Sequence, residues 1–370
     1  MKKILQIGPV PHRKHETVGG VLAYMEGFLA IGLPGEYRLA LVNTNVRAIF
    51  KKIRLLRPLL SLGFVIKLLW QLIVFRPDIA HIHVSEGIKG SGIAEKRLLA
   101  RICKLFGVIV VQHLHGAAFD DFYRERTDYF SSVLNEGDMN IVLSQAWKQL
   151  FANTVDASKL SVIPNAIATS DFRREAAENR ESLRILFVGA VGGRKGLPDL
   201  GSALSQLSPA LQQQIHLDII GPEEFSGENK RIEEMFKDFG LHEICTFHGA
   251  VFGNAKNEFY SRADIFVLPS RNESFGIVNL EAMASSLPVI STAIGAIPEY
   301  LEHGKNGLLF EPGDTQQLAE HLETMILDRS LREKMGAANK EKVRQKFDWT
   351  SITQQVADIY RGLLEAPTSA

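Results

Sequence analysis

The sequence predicts an α/β protein made of two doubly wound domains, and three observations carry that prediction. Strand-like apolar runs alternate with helical ones through the first half of the chain. The same alternation starts afresh near residue 183. With 370 residues and 45% hydrophobic content, the chain exceeds one ordinary core and suits two. Alternation of this kind predicts parallel strands joined by helical crossovers.

Taken in order, KILQIG reads as a first strand, followed by a helix from about Gly20, the strand YRLALVN, a long apolar segment and the strand DIAHIHV. A helix near 92–106 and the strands VIVVQHLHG and MNIVLS complete the first half. LSVIPNAI and the polar run from Asp171 to Ser182, rich in Arg and Glu, read as a linker, so a boundary is expected near 168–182. The second half supplies LRILFVG, HLDIIG, CTFHG, DIFVLPS, PVIST and GLLF as strands. From Thr315 to about Leu364 the pattern is helical, and the closing APTSA reads as a frayed tail.

Bulk chemistry narrows the function classes. The 42 basic and 42 acidic residues cancel, so no global field argues for a nucleic-acid partner. Cys103 and Cys245 lie far apart in apolar sequence and read as reduced thiols; MKKILQIGPV reads as a first strand, not a signal peptide. A cytoplasmic location is expected. Between Glu36 and Asp78 there is no acidic residue, while Arg38, Arg47, Lys51, Lys52, Arg54, Arg57, Lys67 and Arg76 stand among Leu, Ile, Phe and Trp70. Residues 38–76 therefore read either as a surface for an anionic membrane or as an ordinary helix with solvated cations. Gly63 and Lys67 interrupt the run LLSLGFVIKLLWQLIVF, which argues against a membrane span.

In open parallel sheets ligands bind beyond the carboxyl ends of strands, so the residues just after each strand are the first candidates. After the first strand, Gly19 and Gly20 either cap a helix or let its start approach a phosphate. His113 and His115 share one face of their strand by alternation, as do His81 and His83. No Cys or carboxylate accompanies these pairs at ligand spacing, so no metal site is expected. The second domain opens on Gly189-Ala190-Val191-Gly192-Gly193-Arg194-Lys195-Gly196 before a helix from Leu197, a candidate diphosphate site without the Walker pattern. Gly221 and the Gly249-Ala250-Val251 run close two further strands where a nucleoside could rest.

The richest stretch runs from Ala263 to Pro298. It reads as a buried strand, a polar turn, a helix opening near Gly276 and a second strand. Glu273 falls in the turn and Glu281 about one turn into the helix, flanking a helix start whose Phe275, Gly276, Ile277 and Val278 amides would be free for phosphate.

Together these residues resemble a GT-B glycosyltransferase, similar to the large retaining family numbered four. The resemblance rests on Glu273-Ser274-Phe275-Gly276-Ile277-Val278-Asn279-Leu280-Glu281 in its context of ADIFVLPS and EAMASSLPVI, with GGV at 19–21, VIPNAI at 162–167, RKG at 194–196, FHGAV at 247–251 and NGLLFEPGD at 306–314. It implies two Rossmann-like domains facing a central cleft. The last helix would cross back, giving domains of 1–170 with about 350–370, and 171–349. It implies that Glu273 contacts hydroxyls of the transferred sugar beside Ser274, Phe275 and Gly276, and that Glu281 holds the ribose. Lys195 and Arg194 would neutralise the leaving diphosphate, Val251 would face the base, His115 would touch the donor sugar, and Gly19 and Gly20 would approach the diphosphate.

Relatives commonly carry an arginine where this chain has Ala190; Arg194 is the expected substitute. No Asp-x-Asp occurs, so no cofactor or metal is expected; the donor is a nucleotide sugar, UDP-linked by preference, and the acceptor a glycan or lipid-linked glycan. A nucleotide-sugar epimerase of the same fold and a non-catalytic partner subunit remain the alternatives.

Overall fold

The strands of the first half form one parallel sheet whose inner strands are buried on both faces between crossover helices. In the computed structural model, which describes residues 1–10, 20–44, 57–84, 91–116, 119–175 and 182–366, the chain divides into two units, Met1–Asn165 with Trp349–Ala370, and Ala166–Asp348. Both are parallel α/β sheets wound on two sides, as the alternation predicted.

The first unit contains β1 (Lys2–Gly8), β2 (Tyr37–Asn43), β3 (Ile79–Val84), β4 (Ile109–Leu114), β5 (Met139–Val142) and β6 (Leu160–Val162), in the order β2-β1-β3-β4-β5-β6. Every residue of β3 is buried. The long apolar segment is the helix Arg57–Val74, and the basic residues Arg47, Lys51, Lys52 and Arg54 lie outside the described residues. The final helix, Trp349–Glu365, packs on the helix Gly20–Ile31: the Trp349 ring sits 5.0 Å from that of Tyr24. A Cβ on Gly27 would fall 2.3 Å from the Trp349 ring, so a side chain there would push the two helices apart.

The second unit contains β7 (Leu183–Val188), β8 (Ile215–Ile220), β9 (Cys245–Gly249), β10 (Ile265–Leu268), β11 (Val289–Thr292) and β12 (Gly307–Phe310), in the order β12-β11-β10-β7-β8-β9. The chain enters in the middle at β7, winds outward through β8 and β9, then returns to the other side of β7 with β10. Connections therefore leave β7 and β10 in opposite directions, which opens a crevice between their carboxyl ends. The loops carrying Lys195 and Glu273 follow these two strands.

Candidate active site

The crevice is closed by backbone before any side chain enters it. Gly196 takes φ +75°, and a Cβ on it would lie 1.8 Å from the Pro269 carbonyl oxygen, so only glycine lets the loop after β7 touch the loop after β10. The Arg271 amide donates to the Arg194 carbonyl at 2.9 Å and completes this staple. On the other side Gly295, at φ +57°, lies against the Glu273 carbonyl, and the Ala296 amide donates to Ser274 O at 2.9 Å.

These contacts bring Lys195 onto Glu273, and the two form an ion pair whose side chains are only 15% and 12% exposed. The Ser274 amide donates to Glu273 Oε1 at 3.2 Å. Burial alone would raise the Glu273 pKa; the Lys195 ammonium, with the Phe275 amide and the more distant Arg194 charge, outweighs it and holds the carboxyl below the usual range. Glu273 is thus a carboxylate at neutral pH, able only to accept hydrogen bonds. The Phe275 amide, expected to be free, is turned toward this carboxylate.

Gly276 caps the helix Ile277–Ala284 in the left-handed conformation, and the amides of Ile277 and Val278 in its first turn have no intrahelical acceptors. The turn is held from beneath: Tyr300 Oη donates to Phe275 O at 2.6 Å and accepts from Asn279 Nδ2 at 3.0 Å. Phe275 is buried, its ring 5.2 Å from that of Tyr300. One turn on, Glu281 accepts from Lys256 Nζ at its Oε1 and from Tyr260 Oη at its Oε2, both at 2.7 Å. Tyr260 and Lys256 escaped the sequence reading; the one signal for them was their place on the helix Gly253–Arg262, which follows the loop at Val251.

Gly189 and Gly221 meet at the ends of β7 and β8. A Cβ on Gly221 would lie 1.8 Å from Gly189 O, so the pair is a close backbone contact before it is anything else. Arg194 turns its guanidinium onto Glu224, whose carboxylate also accepts from the Arg194 amide. Arg271 makes a bidentate pair with Asp199 at 2.8 and 2.6 Å. Neither Glu224 nor Asp199 was singled out from sequence, because partners 30 and 72 residues away leave no local pattern.

The remaining candidates belong to the first unit. Gly20 begins the helix Gly20–Ile31 and is exposed; Gly19 lies outside the described residues. His115, just past β4, is buried in a layer with His81, His83 and His113 between the sheet and Tyr24. Register makes the layer: His83 sits opposite His113 across β3 and β4. Ring centroids run from 4.0 Å (His113 and His115) to 5.6 Å (His83 and His113). Burial pushes all four far below the ordinary histidine range, His81 and His115 to about 3. Donor atoms of His81, His83 and His113 lie within 4.8 Å of one another, which ligand spacing along the chain did not foresee. Both His83 nitrogens are already engaged, by His115 at 3.0 Å and Gln6 at 2.9 Å, and the His81 and His83 rings stack at 17°, so a shared ion would require those bonds to break and the rings to turn.

Comparison with known proteins converges on one family. Residues 169–342 match the glycosyl transferases group 1, and residues 30–171 match glycosyltransferase family 4. A sulfoquinovosyl transferase from Arabidopsis thaliana is 27% identical over 314 residues, covering 80% of this chain and 59% of that protein. A GDP-mannose-dependent alpha-(1-6)-phosphatidylinositol monomannoside mannosyltransferase from Mycobacterium tuberculosis is 27% identical over 225 residues, 56% of this chain and 57% of that one. The chain thus spans under two thirds of these relatives. Among solved structures, sucrose-phosphate synthase from Thermosynechococcus elongatus aligns with a TM-score of 0.80 at 20% identity, covering 99% of this chain and 100% of that one. Anabaena HepE, in complex with UDP and glucose, aligns with a TM-score of 0.76 at 20% identity, covering 98% and 100%. The shared fold is GT-B, two Rossmann-like domains.

Proposed function

This chain belongs to the group 1 glycosyl transferases of the family 4 type, and from that premise we propose that it transfers a sugar, with retention, from a nucleotide sugar to a glycan or lipid-linked glycan in polysaccharide or surface-glycan assembly. The observation that carries the reading is the Lys195–Glu273 ion pair at the crevice between β7 and β10. Cleavage of the sugar–phosphate bond builds negative charge on the departing diphosphate. Lys195 and the free amides at the start of the helix Ile277–Ala284 offer fixed positive charge to it without a metal ion. Glu273, ionised, would accept from hydroxyls of the sugar beside the Ser274 backbone. Glu281 would take the ribose hydroxyls on the lone pairs left over from Lys256 and Tyr260. A UDP-linked donor is preferred, supported by the UDP bound in the HepE structure.

Removing the Lys195 charge should lower turnover by about a hundred- to a thousandfold, as for loss of one transition-state donor. Arg194, held by Glu224, would swing to the diphosphate when the donor arrives and supply the charge missing at Ala190. Release of nucleoside diphosphate by Lys195→Ala and Arg194→Ala, measured in EDTA, tests both roles. Full activity of Arg194→Ala beside an inert Lys195→Ala would sink the compensation idea, and an active Lys195→Ala would sink the site.

A lipid-linked acceptor is supported by the outer face of the helix Arg57–Val74. Ile66, Trp70, Ile73 and Val74 fall at helical spacing and are 57–63% exposed beside Lys67. Among the described residues no helix is long and apolar enough to cross a membrane. The reading is a peripheral contact, cytoplasmic side, with Trp70 at headgroup depth. Wild-type protein should co-sediment with phosphatidylglycerol vesicles and Trp70→Glu should not; equal sedimentation of the two would remove this face from the account.

A further inference from the structure

We propose that Gln6, acting through His83, fixes which ring nitrogen of His115 carries the proton, so that His115 offers its Nδ1 as an acceptor. The inference rests on the reading of His115 as the sugar-facing histidine. It starts from a chain of hydrogen bonds buried inside the first unit. Gln6 Nε2 donates to Tyr360 Oη at 3.1 Å, and Tyr360 Oη also pairs with His81 Nδ1, to which it can donate while it accepts from Gln6. This leaves Gln6 Oε1 as an acceptor, 2.9 Å from His83 Nε2. His83 is buried, and burial keeps it neutral, so it holds one proton.

The directions then follow link by link. Gln6 Oε1 can only accept, so the single His83 proton sits on Nε2. His83 Nδ1 is left with a lone pair, which accepts from His115 Nε2 at 3.0 Å. His115 is also neutral by burial, so its proton is used on Nε2 and its Nδ1 is a lone pair, for which no hydrogen bond of normal geometry occurs among the described residues. Asn165 stands beside this ring with its Oδ1 unpartnered among the described residues, a contact that raises the His115 pKa; the relay therefore requires the Asn165 amide turned so that its Nδ2 faces Nδ1. A histidine set this way accepts a hydrogen bond from a hydroxyl; the opposite tautomer would have to donate one. Gln6 and His83 are positioning residues in this scheme. His113 takes no part, since neither of its nitrogens has a partner.

The relay has an internal alternative, which gives the test its force. Were the Gln6 amide turned over, every link would reverse, and His115 would carry its proton on Nδ1. Imidazole nitrogen shifts separate the two tautomers without any assay of activity. The full chain labelled with 15N-histidine is compared as wild type, Gln6→Met and Gln6→Glu, with the His115 signals identified by their loss in His115→Gln. The wild type should show Nε2–H at His115. Gln6→Met removes the acceptor and should bring in the Nδ1–H form, with the donor KM rising about three- to tenfold and kcat changing less. Gln6→Glu, compared above the pH at which its buried carboxyl ionises, only accepts, so it should keep the wild-type tautomer even if Gln6→Met does not fold.

Nδ1–H in the wild type, or a switch to it in Gln6→Glu with the carboxyl ionised, would overturn the relay. So would an unchanged tautomer in folded Gln6→Met. A tautomer change with no change in KM would leave the relay standing and remove His115 from the sugar.

Discussion

Glu273→Ala is expected to cut turnover by about a thousandfold while the chain stays folded, with Glu273→Gln losing about a hundredfold. The carboxylate sits where three loops meet, those after β7, β10 and β11, each brought in by a glycine or a backbone hydrogen bond. Its charge is what Lys195 is matched to, and its ionised oxygens can accept from sugar hydroxyls, the role proposed for them. Gln keeps the shape and one acceptor oxygen; Ala keeps neither. Single electrostatic contributors at reacting centres are worth roughly a hundred- to a thousandfold, and here loss of Glu273 also releases Lys195 from its position. Steady-state turnover with circular dichroism on the same samples checks this. Normal turnover in Glu273→Ala would exclude it from the site.

The second large effect is on stability, and it lies in the other unit. His81, His83, His113 and His115 are held neutral by burial, with folded pKa values far below the ordinary 6.5. The sign is that of a depressed base: above pH 6.5 neither state is protonated, and below it the unfolded chain takes up protons that the folded chain refuses. Each such proton costs the fold up to about 1.4 kcal/mol per pH unit, so four together approach about 5.6 kcal/mol per unit. A domain stable by about 5–15 kcal/mol cannot withstand that for long. The urea midpoint should therefore collapse between pH 6.5 and 5. Glu273 does not contribute there, because a lowered carboxyl loses its stabilisation only as pH falls through the carboxylate range. His113→Leu, which removes a ring without hydrogen bonds, should make the pH slope about a quarter shallower. A urea midpoint unchanged from pH 7.5 to 5.5 would contradict the buried neutral layer.

The fold was legible because its signals are local. Every one of the second-half runs read as strands is a strand, and β10, β11 and their helix follow the stretch from Ala263 to Pro298 that the sequence marked. Two glycines read as ligand-side positions, Gly196 in the candidate diphosphate loop and Gly221 where a nucleoside could rest, are packing requirements of the fold: Gly196 lies against Pro269 and Gly221 against Gly189. What stayed hidden depends on partners distant in sequence. Nothing near Arg194 announces Glu224, and nothing near Glu281 announces Lys256 and Tyr260. The two His-x-His pairs were visible, and alternation placed each pair on one face. Their union into one layer required the register of β3 on β4 and the position of Gln6 on β1, which no single strand encodes.

The central claim is that the crevice beside β7 and β10 binds a nucleotide sugar without a metal. Thermal unfolding of the purified chain against a panel of UDP- and GDP-sugars in EDTA tests it most directly, since a ligand at about a hundredfold its Kd adds roughly 2.7 kcal/mol of stability. At least one donor, UDP-linked by preference, should raise the melting temperature of the wild type by several degrees and leave Glu281→Ala unmoved. A panel in which no sugar nucleotide shifts the wild type would contradict the account.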